Sequence, residues 1–185
     1  FMGYFGFGPG SQALFAKYPH AGYSQFMNAP VSSLVRLPDT ITCSQATRFG
    51  YLGTAYSALR RSELRAGQSV LILGASGTLG VGAALLALAL GAGKVVVAAS
   101  DVAALERLKA QDPQRIETVQ ITSETVSAEV LELIPGGVDV MLDTLGAKAP
   151  AALSVDALKA MVRGGRVLQI GGVAGPIPIE PHAFM

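Results

Sequence analysis

Apolar strand-like runs that alternate with helical segments predict an α/β fold built on a doubly wound parallel sheet. Three observations carry this. Ser69–Leu73, Lys94–Ala98 and Val138–Asp143 are apolar runs with little polar alternation, as suits strands covered on both faces. Helical segments separate them: Thr78–Leu90, rich in Ala and Leu, and Asp101–Ala110. Strand–helix–strand order then requires right-handed crossovers and parallel pairing.

The remaining elements follow in order. Residues 1 to about 45 are rich in Gly, Pro, Ser and aromatics, with short extended pieces such as Tyr23–Met27, and read as irregular β structure. From Ser44 to about Leu64 the apolar residues Ala46, Phe49, Leu52, Tyr56 and Leu59 fall at helical steps, although Gly50 and Gly53 weaken that helix. Asp101 or Ser100 caps the helix that Pro113 prevents from continuing. Glu117–Ile121 reads as a weaker strand and Ser123–Ile134 as a helix. Pro135–Gly137 is a turn, Ala151–Val162 a helix and Arg166–Ile170 a last strand. No repeat or low-complexity segment interrupts the series.

Composition narrows the function classes. Half of the 185 residues are hydrophobic, enough for one full core and a smaller second piece. A net charge of +1 gives no pull towards nucleic acid or an anionic membrane. The lone Cys43 excludes a disulfide within the chain and a Cys-rich zinc site, and it fits a reducing, cytoplasmic setting. The first ten residues lack the basic start of a signal peptide and are broken by glycine. Gly82, Gly91, Gly93 and Lys94 interrupt the most apolar stretch, Val81–Ala99, so a helix, a turn and a strand account for it better than a membrane span.

The chemistry centres on Gly74-Ala75-Ser76-Gly77-Thr78-Leu79-Gly80, between the first strand and its helix. Gly74 or Ala75 lets the chain turn off the strand, Gly77 lets backbone approach a pyrophosphate, and Gly80 lets the helix pack against the sheet. The helix N-terminus turns N–H groups and the positive end of its dipole towards phosphate. This is a Rossmann dinucleotide loop in its expected strand–helix context; a tight turn without a ligand is the plain alternative.

The end of the second strand bears on the choice of cofactor. NAD-binding versions place an acid there for the ribose 2′-hydroxyl. Here Ala99 occupies that place and Ser100 follows. A small residue leaves room for a 2′-phosphate that Ser100 could hydrogen-bond, which favours NADP(H). Ser100 could equally be only a cap, and Asp101 would repel a phosphate, so NAD(H) stays open.

Five motifs now stand in order: Leu37–Asp39, Gly53–Leu59, Ala66–Gly80, Val138–Gly146 and Gly164–Gly172. Together they resemble the medium-chain dehydrogenase/reductase superfamily, which includes zinc alcohol dehydrogenases and zinc-free quinone reductases. The resemblance implies two domains. Residues 1–60 would be the last part of a GroES-like, β-rich catalytic domain with its connecting helix. Residues 61–185 would be a Rossmann domain cut short, making the chain an internal piece of a longer enzyme. It also implies that Thr54 lies beside the nicotinamide, that Thr144, Leu145 and Gly146 line the cofactor cleft, and that backbone at Ile170, Gly171 and Gly172 meets the carboxamide. Zinc relatives often carry a ligand four residues before the Thr of the second motif. Here that residue is Gly50, which has no ligand atom. Cys43 lies seven residues too early and reads as buried packing, while His20 and His182 stand alone. Asp143 reads as a cap on the loop that follows it.

The implied function is hydride exchange between NADP(H) and a small carbonyl, alcohol, enone or quinone, without zinc, in a homodimer. Two alternatives remain at this point: a zinc alcohol dehydrogenase whose ligands lie outside the chain, and a non-catalytic cofactor-binding protein.

Overall fold

The computed structural model describes residues 9–19 and 22–180 and divides the chain into two compact units, 1–50 and 51–185. In the first unit, Pro9–Lys17 forms helix α1, Val31–Ser33 a single 3₁₀ turn and Cys43–Ala46 the short helix α2. Ala, Leu, Gln and Lys favour α1, and Pro19 bars its extension. Thr42 starts α2 with a reciprocal capping box: its hydroxyl accepts from the Gln45 amide, and the Gln45 side chain accepts from the Thr42 amide. The expected irregular β structure is corrected here, because none of the described residues of this unit forms a strand. An extended segment becomes a strand only beside a partner, and Tyr23–Met27 pairs with no strand.

The second unit holds the sheet. Helix α3 runs Phe49–Arg61, its Ala55, Ala58 and Leu59 buried in the same core as the first strand. From Tyr51 onward it lies in the same compact unit as the sheet. There follow β1 (Ser69–Leu73), α4 (Thr78–Ala89), β2 (Lys94–Ala99), α5 (Val102–Lys109), β3 (Ile116–Gln120), α6 (Ser127–Leu133), β4 (Val138–Asp143), α7 (Ala151–Leu158) and β5 (Met161–Gln169). All pairings are parallel, in the order β3-β2-β1-β4-β5. Strands β1 and β2 pair in register from Ser69 with Lys94 to Leu73 with Ala98. β1 is buried throughout, which is why its sequence shows no alternation. One core packs Val70, Ile72, Val95 and Val97 against α3, α4 and α5. A second packs Leu71, Leu73, Val96 and Met141 against α6 and α7. Among the described residues no helix is long and apolar enough to cross a membrane.

The helix expected from Ser44 to about Leu64 is instead two, α2 and α3; three further boundaries differ from expectation for identifiable reasons. α6 starts at Ser127 rather than Ser123, because the Asp156 carboxylate accepts the amides of Val126 and Ser127 at 2.7 and 2.9 Å and so sets the first turn. Burial raises the Asp156 pKa, but the Ser127 and Val126 amides, the Lys159 ammonium and the Ser127 hydroxyl outweigh it and hold the carboxyl below its ordinary value. α7 stops at Leu158 and β5 begins at Met161, because the Ala160 carbonyl accepts the Val138 amide at 2.8 Å and draws the chain into the sheet. The β4–β5 register then shifts between Val138 and Val140, so that Val138 pairs with Met161 but Val140 with Arg166.

Candidate cofactor-binding site

Strand order reverses at β1: the chain adds β2 and β3 on one side of it and then crosses to add β4 and β5 on the other. In open parallel sheets ligands bind at such a switch point, beyond the carboxyl ends of the strands. The residues expected to bind cofactor converge on this edge.

Gly74 leaves β1 with φ of 74°, which suits glycine. Its amide and that of Ala75 both donate to the Ala98 carbonyl of β2, at 2.9 and 3.0 Å. The Gly77 amide then donates to the Gly74 carbonyl at 3.1 Å and closes the turn. Ala75 is buried, whereas Ser76, Gly77 and Thr78 are exposed at the start of α4. Gly77 is the N-cap and has no side chain to cover the first turn. Leu79 is half-buried, and Gly80 is buried where the helix presses on the loop. A Cβ on Gly80 would lie 2.5 Å from the Gly74 carbonyl oxygen and 2.6 Å from Ala75 Cα, so the helix can sit this close only with glycine there.

Ala99 ends β2 buried, with no acid at the position, and its carbonyl accepts the Ile121 amide. Ser100 is exposed. The cap on α5 is Asp101, whose carboxylate accepts the Ala104 amide at 3.0 Å. That leaves Ser100 outside the capping role and aims the Asp101 carboxylate along its own helix.

The second wall is the loop after β4. The Thr144 hydroxyl donates to the Leu73 carbonyl at 2.6 Å, and the Thr144 amide donates to the same oxygen at 3.1 Å. This ties the loop to the end of β1. Leu145 is buried and Gly146 exposed. Ile170 and Gly171, just past β5, donate their amides to the Asp143 carbonyl at 2.9 and 2.8 Å, and Gly172 follows exposed. A Cβ on Gly171 would lie 2.1 Å from the Leu145 carbonyl oxygen. The loops after β4 and β5 are therefore in backbone contact.

Thr54 lies on an exposed position of α3. Leu52, two residues earlier, lies over Gly82 of α4. Gly50 is exposed and offers no ligand atom. Cys43 is exposed at the first position of α2, which corrects its reading as buried packing; α2 has no buried residue. His20 and His182 lie outside the described residues. Among the described residues no three His, Cys, Asp or Glu side chains form a group able to hold a metal ion.

Sequence reasoning recognised Asp143 as a cap but missed its partner. Asp143 is wholly buried; its carboxylate accepts the Leu145 amide at 2.9 Å and the Ser154 hydroxyl of α7. An Asp closing a buried strand is the visible signal for the first contact. Nothing in the α7 sequence marks Ser154.

A glycine turn leading into a helix N-terminus, at the switch point of a 3-2-1-4-5 parallel sheet, defines a dinucleotide-binding Rossmann domain. The zinc-binding dehydrogenase family model matches residues 78–185, more than half of the chain. The chain belongs to that family, within the medium-chain dehydrogenase/reductase superfamily. It is 33% identical over 152 residues to an acryloyl-coenzyme A reductase of Metallosphaera sedula, covering 82% of this chain and 42% of that protein. It is 31% identical over 170 residues to a quinone oxidoreductase of Mus musculus, covering 89% and 49%. Among solved structures, the quinone oxidoreductase of Thermus thermophilus, also determined in complex with NADPH, matches with a TM-score of 0.65 and 32% identity, covering 84% of this chain and 48% of that one. The chain thus spans less than half the length of each of these relatives.

Proposed function

We propose that this chain is the nucleotide-binding part of an NADP(H)-dependent oxidoreductase that moves a hydride to or from a small carbonyl, enone or quinone without catalytic zinc. The observation that carries the reading is the crevice at the switch point. It joins a helix N-terminus whose N-cap, Gly77, makes no side-chain cap to a β2 end at Ala99 that bears no acid.

Each part of that edge has a task. The start of α4 favours negative charge, so the pyrophosphate would lie against the Ser76–Thr78 backbone and the helix dipole, with the Gly77 amide kept on the Gly74 carbonyl. Ala99 leaves space at the ribose, and the exposed Ser100 hydroxyl would donate to a 2′-phosphate. The loops Thr144–Gly146 and Ile170–Gly172 would flank the nicotinamide, and Thr54 would orient its ring. When bound, the cofactor supplies the hydride chemistry, and the chain supplies position and a dry wall. Gly50, in place of a ligand residue, supports the zinc-free reading. Residues 1–60 we read as the last part of a GroES-like catalytic domain with its connecting helix, α3. We place the protein in the cytoplasm, as a homodimer.

NADPH fluorescence tests the reading directly, because the chain has no Trp to overlap with it. The expected result is saturable binding of NADPH, tighter than NADH, by the folded chain, with no turnover. No change up to millimolar concentrations of either nucleotide removes the cofactor claim. Tighter binding of NADH removes the preference. One tightly held zinc per chain in an active preparation of the longer enzyme removes the zinc-free reading.

A further inference from the structure

We propose that Asp143 and Ser154 form a positioning pair that sets the nicotinamide end of the cleft separately from its phosphate end. The proposal rests on the cofactor reading above and assigns a task to a buried group that the reading does not use.

Asp143 is the common anchor of both loops in question. Its main-chain carbonyl accepts the Ile170 and Gly171 amides at 2.9 and 2.8 Å. Its carboxylate accepts the Leu145 amide at 2.9 Å through Oδ1 and the Ser154 hydroxyl through Oδ2. The Asp143 side chain is fully buried and Ser154 is buried beside it, so neither bond competes with water. The start of α7 belongs to the same assembly. The Ala149 amide donates to the Gly146 carbonyl at 2.9 Å, and Pro150 bridges to Ala174 just past the β5 loop. Three segments thus meet at one residue: the β4 loop and α7 at the Asp143 carboxylate, and the β5 loop at its main-chain carbonyl.

The phosphate end is held by other means. The turn after β1 hangs on the Ala98 carbonyl through two backbone amides and closes on Gly74 through Gly77. No side-chain carboxylate takes part in those bonds. Removing the Asp143–Ser154 bond should therefore loosen one end of the cleft while the other keeps its shape. Thr144 joins the ends: its hydroxyl reaches the Leu73 and Gly74 carbonyls and its amide the Leu73 carbonyl, and Gly74 lies close against Thr144 and the Leu145 amide; the Thr144 bonds do not run through the Asp143 side chain.

The test compares two ligands on the folded 185-residue chain: NADPH, which spans the cleft, and 2′,5′-ADP, which fills only the adenine and phosphate half. Asp143→Ala and Ser154→Ala should each weaken NADPH binding tenfold or more, while 2′,5′-ADP stays within twofold of the unaltered protein. Asp143→Asn should return NADPH to within about threefold, because its Oδ1 still accepts the Leu145 amide and its Nδ2 donates to the Ser154 oxygen. Ser154→Ala carries the same comparison where Asp143→Ala does not fold. Parallel loss of both ligands makes the pair a merely structural support and overturns the proposal, as does loss of neither. Failure of the unaltered chain to bind either ligand overturns the cofactor reading as well, and so separates the two failures.

Discussion

At the amino end of the sheet, side chains tie neighbouring elements together. Asp139 at the start of β4 receives the Ser69 amide and hydroxyl of β1, both at 2.8 Å. Arg166 of β5 pairs with Glu63 at 2.7 Å and donates to the Ser62 carbonyl at 2.9 Å. Lys94 and Lys109 share Glu117 at 2.8 and 2.6 Å. At the carboxyl end of the same strands, Gly74, Gly80 and Gly171 let backbone lie against backbone, and the Asp143 carboxylate is turned inward. The difference teaches how one sheet serves two purposes. Side chains lock the end that needs only to hold. At the carboxyl end the side-chain ties, Thr144 to Leu73 and Asp143 to Leu145 and Ser154, lie on the β4 side, while backbone alone holds the glycine turn after β1.

The sharpest way to break this contrast is to put a side chain where it has been excluded. Gly171→Ala sets a methyl against the Leu145 carbonyl and should cost about 3 kcal/mol, the upper part of the usual range for overpacking. Urea unfolding measures it, and an unchanged midpoint would show that the carboxyl-end loops have room to spare. A side chain removed from the other end should cost less. Asp139→Ala leaves the Ser69 amide without its carboxylate and should cost about 2 kcal/mol, the typical worth of a hydrogen bond to a charged group. Affinity for NADPH should not move, and a tenfold loss would join the two ends that the contrast separates.

The smallest effect is one of pH. Hydrogen bonds from Lys109 and then Lys94 hold the Glu117 carboxyl below its ordinary pKa. A carboxyl whose folded pKa is lowered contributes stability above the ordinary glutamate value, and that contribution is lost as pH falls through the lowered one. Glu117→Gln should therefore have a lower melting temperature than the unaltered chain at neutral pH, with the gap closing under acid. A gap that stays constant down to the acid limit would remove the charge from the account.

Much of the sheet was legible because its signal was local. Continuous apolar runs at β1, β2 and β4 reflect burial on both faces, and Gly74–Gly80 is marked by the residues that its turn requires. The start of β5 was hidden, because Met161 and Val162 suit a helix end as well as a strand; only the Val138 amide, far away in sequence, decides between them. The start of α6 was hidden in the same way, since its cap is Asp156 of another helix. At the site, the phosphate-side turn could be read from glycine spacing. The Thr144 bond to Leu73 and the Ser154 bond to Asp143 join residues whose neighbourhood exists only once the sheet has formed. In the first unit composition misled: aromatics and turn residues suggested strands, but among the described residues no extended segment there finds a strand to pair with.

The switch point also bears on the order of assembly. Val70 pairs with Val95, 25 positions away, and with Val140, 70 positions away. Closing the longer loop costs about 0.9 kcal/mol more in chain entropy on the logarithmic scaling of loop closure. Non-local pairings slow folding for the same reason. The half of the sheet that carries the glycine turn can thus gather early from neighbouring segments, whereas the opposite wall of the crevice must arrive from much farther along the chain. The crevice therefore needs both a near pairing and a distant one before its two walls face each other.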